Sequence, residues 1–162
     1  MKRISIVTLA MLALSCFTAA NLQAQNPRFK SCRSSGPDNS GDLQACFDIS
    51  GLGQTPTTIT ASTTATATYG CLNNGGQCPN AANKTSSSGT VTASGTFTPD
   101  RNGRASGCLT LTPPAPAPSF SCPGGQTMVL ISVTYDTVTL SAPNGATCST
   151  GGGSANFYPH CP

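Results

Sequence analysis

Glutamate and tryptophan are absent from this chain, and histidine occurs once among its 162 residues. The charged side chains are eight Lys or Arg and five Asp. That poverty argues against most acid–base enzymes, because a relay of acid, base and orienting group has few residues to draw on. A Ser–His–Asp relay would rest on His160, in Phe157-Tyr158-Pro159-His160-Cys161-Pro162, and nothing like G-x-S-x-G accompanies it. Paired carboxylates for glycoside cleavage would have to come from Asp38, Asp42, Asp48, Asp100 and Asp136. A zinc site is poorly supplied, since no C-x-x-C occurs and the histidine is single. Extreme charge is absent, so binding to nucleic acid dominated by phosphate contacts is not expected. Apolar spacing of three and four is missing beyond the N-terminal segment, so helices are not expected. The sequence points to a non-catalytic protein with no cofactor, no metal and no nucleic-acid partner.

What is present begins with an address. Lys2 and Arg3 precede an uncharged, mostly apolar run from Ile4 to Ala20, and Asn21-Leu22-Gln23-Ala24 supplies a small-residue cut site. This is the layout of a secretory signal peptide over residues 1–24, cleaved after Ala24 or, alternatively, after Ala20. No later stretch is long and apolar enough to span a bilayer, so no transmembrane segment is expected after cleavage. Arg28, Lys30, Arg33, Lys84, Arg101 and Arg104 then face the five Asp, leaving a net charge of +1. The remaining cysteines are Cys32, Cys46, Cys71, Cys78, Cys108, Cys122, Cys148 and Cys161. Eight cysteines in an exported chain read as four disulfides. The expected location is secreted or cell-surface, or periplasmic in a Gram-negative host.

The body of the chain alternates with period two, the mark of half-buried strands. Leu43, Ala45, Phe47 and Ile49 share one face. Ile59, Ala61, Ala65, Ala67 and Tyr69 share the inward face of a long strand whose other face is Thr58, Thr60, Ser62, Thr64, Thr66 and Thr68. Val91, Ala93 and Phe97 repeat the scheme against Thr90, Thr92, Ser94 and Thr96. Pro99-Asp100-Arg101-Asn102-Gly103-Arg104 reads as a hairpin turn into Leu109 and Leu111. Val129, Ile131, Val133 and Tyr135 form the most apolar strand, and a parity flip before Val138 and Leu140 predicts a bulge near Asp136. The expected fold is all-β: an Ig-like two-sheet β-sandwich of six or seven strands, stabilised by disulfides. Its expected organisation is a flexible Cys-containing arm over 25–42, the sandwich over 43–142, and a Gly-rich, disulfide-tethered tail over 143–162. Nearest-neighbour pairing would join Cys32–Cys46, Cys71–Cys78, Cys108–Cys122 and Cys148–Cys161. Cys71–Cys122 competes, because antiparallel strands would bring those two to one end.

The strings Ala65-Thr66-Ala67-Thr68-Tyr69-Gly70-Cys71-Leu72-Asn73-Asn74-Gly75-Gly76, Pro79-Asn80-Ala81-Ala82-Asn83-Lys84 and Ser119-Phe120-Ser121-Cys122-Pro123-Gly124-Gly125-Gln126 carry a resemblance. Across residues 43–142 the chain resembles small secreted bacterial β-sandwich proteins of an uncharacterised family. The resemblance implies an exported sandwich and brings no activity or ligand with it.

Two surface features point to binding. Asn73, Asn74 and Gln77 offer amide hydrogen bonds from a loop, and Phe157, Tyr158 and His160 make an aromatic patch in the tail, which suits polysaccharide. The alternating threonines suit an ordered partner such as ice, a crystalline polysaccharide or another copy of the sheet, although Thr also favours the solvent side of any strand. Asp38-Asn39-Ser40-Gly41-Asp42 has clustered oxygens that suit either a hard cation or a local turn. The expected function is a secreted surface- or polysaccharide-binding module. The alternative is a structural subunit that self-associates through β edges or Thr-rich faces.

Overall fold

The computed structural model describes residues 26–76 and 83–159. The signal segment, Gln77, Cys78, His160 and Cys161 lie outside the described residues. The strands are β1 (Arg28–Ser35), β2 (Leu43–Ser50), β3 (Thr57–Leu72), β4 (Lys84–Phe97), β5 (Ala105–Leu111), β6 (Thr127–Tyr135), β7 (Val138–Ser141), β8 (Thr147–Thr150) and β9 (Gly153–Asn156). A 3-10 turn at Pro143–Gly145 separates β7 from β8.

A three-stranded sheet, β1-β2-β5, packs on a larger sheet that holds the other strands. In the larger sheet β4 occupies one edge of β3 over residues 57–70. The opposite edge is shared: β7 lies beside residues 60–62 and β6 beside 65–72. β8 then pairs with β7, and β9 with β6. The chain is thus an all-β two-sheet sandwich, with nine strands among the described residues rather than six or seven. The additional strands come from the segments expected as arm and tail. Phe29 and Cys32 of β1, and Ala155 of β9, pack on the core, and that apolar contact holds these short polar strands in the sheets.

The core lies where the two inner faces meet. The small sheet contributes Leu43, Ala45, Phe47, Ile49, Ala105, Leu109 and Leu111. The large sheet contributes Ile59, Ala61, Ala65, Ala67, Val133, Tyr135, Val138 and Leu140. β3 supplies mostly Ala, and aromatic rings fill the space it leaves. Phe47 meets Phe97 edge-on at 4.8 Å and Phe29 edge-on at 6.2 Å. Tyr135 places its hydroxyl between the Gly41 and Leu111 carbonyls, at 2.8 and 3.0 Å.

The Pro99–Arg104 turn does not make a hairpin. β5 pairs with β2, so the turn carries the chain from one sheet to the other. Buried Pro99 has no N–H with which to continue the ladder. Phe97 lies directly over Gly107, where an added Cβ would come within 2.2 Å of the ring, so β4 and β5 stack face to face.

The parity flip at Asp136 is a bulge: residues 136–138 oppose only residues 63 and 64 of β3. The Asp136 N–H donates to the Thr64 carbonyl at 2.9 Å, and the buried Thr63 hydroxyl donates to the Asp136 carbonyl at 3.1 Å. A second slip at Ile131 was not anticipated. Ser132 opposes Thr68 while Leu130 opposes Tyr69, leaving Ile131 unpaired. Val133 and Tyr135 therefore stay in the main core, whereas Val129 and Ile131 join a separate cluster with Leu72.

Three disulfides lie among the described residues: Cys32–Cys148, Cys46–Cys108 and Cys71–Cys122. The Cys71–Cys122 pairing is the one that strand direction suggested. Sequence proximity misleads for the others, because sheet pairing places Cys46 opposite Cys108. Cys32–Cys148 joins the edge of the small sheet to β8 of the large one.

Candidate functional site

Register decides which side chains share the outer face of the large sheet. The β3–β4 pairing runs without a slip from Thr57 opposite Phe97 to Gly70 opposite Lys84. Every second pair therefore aligns on one face: Thr58 with Thr96, Thr60 with Ser94, Ser62 with Thr92, Thr64 with Thr90, Thr66 with Ser88, and Thr68 with Ser86. Hydroxyls bond across the ladder at 3.2 Å for Thr58 and Thr96, 2.9 Å for Thr60 and Ser94, 2.9 Å for Thr66 and Ser88, and 3.0 Å for Thr68 and Ser86. These bonds restrict rotamers that a solvated Thr or Ser would otherwise sample.

The pattern continues beyond β3. Ser132 and Thr134 oppose Thr68 and Thr66, and Thr139 and Ser141 oppose Ser62 and Thr60. One strand further out stand Asn156, Ser154, Ser149 and Thr147. Charge is nearly absent from this sheet. β3, β6, β7, β8 and β9 contain no charged residue, and β4 contains only Lys84, at its first position. Asp136, in the bulge, is the nearest acid. By contrast, β1 alone carries Arg28, Lys30 and Arg33. Asp48 on β2 pairs with Arg104 through two hydrogen bonds, and that guanidinium holds the carboxyl below its ordinary range.

The hydroxyl rows end on apolar ground. Leu72 and Val129 continue the outer face beyond Thr68 and, with Ile131, form the small cluster on which Tyr158 packs. Asn73 and Asn74 follow Leu72 directly. The fold thus brings Tyr158 to the end of β3 where that loop begins. It does not gather the other candidates there. Phe157 packs on the main core. The Asn73 side-chain oxygen accepts the Gly75 N–H at 3.0 Å, closing a local turn. Asn74 is exposed, and Gln77 and His160 lie outside the described residues.

The acidic loop at residues 38–42 adopts the turn alternative. Asp38 Oδ1 accepts the Ser40 and Asp42 N–H groups at 2.8 and 3.0 Å. Burial, with Asp38 nearby, pushes the Asp42 carboxyl up. Among the described residues no helix is long and apolar enough to cross a membrane.

No family model matches this chain, and no curated protein matches it.

Sequence reasoning identified Thr faces on two strands. It missed their extension to β6–β9, because β7, β8 and β9 are only four residues each and the hydroxyls of β6 lie beyond the slip at Ile131. The signal was present in the alternation of Thr147, Ser149 and Ser154 with Cys148 and Ala155.

Proposed function

We propose that this protein is an extracellular, non-catalytic binding module with an Ig-like sandwich frame. It lays the outer face of its large sheet along an uncharged, hydroxyl-rich polymer such as a neutral polysaccharide. The observation that carries the proposal is the segregation of charge: hydroxyls line one sheet, and the cations of β1 stand on the other. A solvated face gains solubility from mixed charges. A face that must meet an uncharged polyhydroxyl chain gains from having none, since every charge it covered would lose hydration. The cross-strand bonds reduce the entropy cost of ordering that face on binding. Tyr158, packed at the end of the rows, supplies an aromatic edge for a sugar ring. The disulfides fit an oxidising, extracellular setting, as does the signal-like N-terminus.

The test is co-sedimentation of the oxidised protein with insoluble neutral glucan or chitin. Charges placed mid-face by Thr64→Lys with Thr92→Lys abolish binding while circular dichroism is retained. Tyr158→Ala weakens it several-fold, in line with one aromatic contact. Full retention of binding by the double lysine variant refutes the proposal.

A second reading rests on β4 itself. It is a 14-residue edge strand with neither proline nor charge after Lys84, and such an edge is a template for another strand. Ordered polymers in negative stain that persist in the double lysine variant would favour a structural subunit over a polysaccharide binder.

A further inference from the structure

We propose that the Cys46–Cys108 bond is an exchange site for small anionic thiols, independent of the hydroxyl face. Cys46 and Cys108 are directly opposed residues on adjacent antiparallel strands. Both lie on the outer face of the small sheet, where Cys108 is exposed and Cys46 half-buried. The two other bridges among the described residues are better covered: Cys71 is 1% exposed, and Cys32 packs against the core.

The surroundings of this bond match what exchange requires. Both cysteines line a pocket of about 360 Å³ with Ser31, Arg33, Asp48, Arg104 and Ser106. Arg33 stands opposite Cys46 in the β1–β2 register, which puts their Cβ atoms ~5 Å apart. Arg104 is committed to Asp48, whereas Arg33 has no hydrogen bond or ion pair among the described residues. Lys30 also lies close enough to act on Asp48 electrostatically. Positive charge of this kind attracts an incoming thiolate and stabilises a departing one.

The step is an in-line displacement. An external thiolate attacks Cys108 Sγ, forming a mixed disulfide as the Cys46–Cys108 bond breaks. The electron pair of that bond leaves on Cys46 Sγ, beside Arg33. A second thiolate attacks the external sulfur of the mixed disulfide, releasing the external disulfide and a Cys108 thiolate. Two thiols are thereby oxidised and one protein disulfide is reduced. The β2–β5 ladder from Leu43–Leu111 to Ile49–Ala105, with buried side chains beneath it, keeps both cysteines in place throughout.

The test treats the full oxidised protein with glutathione, 2-mercaptoethanol or cysteamine, followed by alkylation and peptide mapping. Alkylation is expected at Cys46 and Cys108 first, with Cys32, Cys71, Cys122 and Cys148 still bonded and circular dichroism unchanged. Rates per thiolate are expected to fall from glutathione to cysteamine by roughly tenfold, the lower end of electrostatic steering. Arg33→Gln should flatten that order to about twofold or less, on the same basis. Arg28→Gln, on the same strand but outside the pocket, should preserve it. Equal labelling of all the bridges, unfolding on reduction, no labelling at Cys46 and Cys108, or an order of thiols unchanged by Arg33→Gln would each overturn the proposal.

Discussion

Asp42 sits beside the Tyr135 hydroxyl site with one carboxylate oxygen buried and without a hydrogen-bond partner among the described residues. Loss of hydration disfavours its charged form, and Asp38 adds repulsion, so the folded-state pKa is raised. A raised acid contributes stability that is fully present below its unfolded pKa and lost as pH rises through its folded pKa. At neutral pH the ionised Asp42 is therefore a cost to the fold. Asp42→Asn should raise Tm at pH 7, and the gain should shrink as pH falls through the raised folded-state pKa of Asp42 and vanish below its unfolded value, at about pH 3. Calorimetry at the two pH values reads the difference, and a gain that persists in acid would refute the assignment. Asp48 is the opposite case. Arg104 lowers its pKa, so its contribution is present above the unfolded pKa and disappears as pH falls through the folded value. The sequence placed Asp42 in an oxygen-rich loop and Asp48 on a strand, but did not say which carboxyl would be raised and which lowered. Their neighbours across the fold distinguish them.

Strands β4 and β5 show how one contact can set the path of an element. Phe97 fills the space over Gly107 and meets Phe47 edge-on, so the chain stacks after the turn. A methyl at position 107 would collide with that ring. Gly107→Ala should cost ~1–3 kcal/mol, as overpacking commonly does. Combined with Phe97→Ala it should cost less than the sum of the single changes, because the second removes the clash. Denaturant unfolding of the three variants checks this, and strict additivity would contradict the packing account. The alternation of Val91, Ala93 and Phe97 was legible in the sequence, as was that of Leu109 and Leu111. Whether the strands would pair or stack was not, since both arrangements bury the same residues. The slip at Ile131 was hidden for a similar reason: an unbroken apolar run fits either parity.

At the level of the whole molecule, Cys32–Cys148 connects the two sheets across a sequence separation of 116. Closing so long a loop restricts the unfolded chain strongly. Replacing both cysteines with Ser should lower stability by ~4–5 kcal/mol on the chain-entropy estimate. Equilibrium unfolding measures it, and a loss under ~1 kcal/mol would mean that core packing, not the staple, holds the sheets together. Large and small sheets also divide the charges between them, and the proposed functions follow that division. The hydroxyl face is read as meeting a neutral polymer and the cationic face as drawing anionic thiols to an exposed bond. From sequence alone came the all-β class, the inward residues of the long strands, the bulge at Asp136 and the threonine alternation. Each follows from local backbone geometry, in which successive side chains point to opposite faces. Only the tertiary structure decided the disulfide partners, the path through Pro99–Arg104, the strands at either end and the union of the hydroxyl rows. Those depend on which distant segments lie side by side, and short-range periodicity is silent about that.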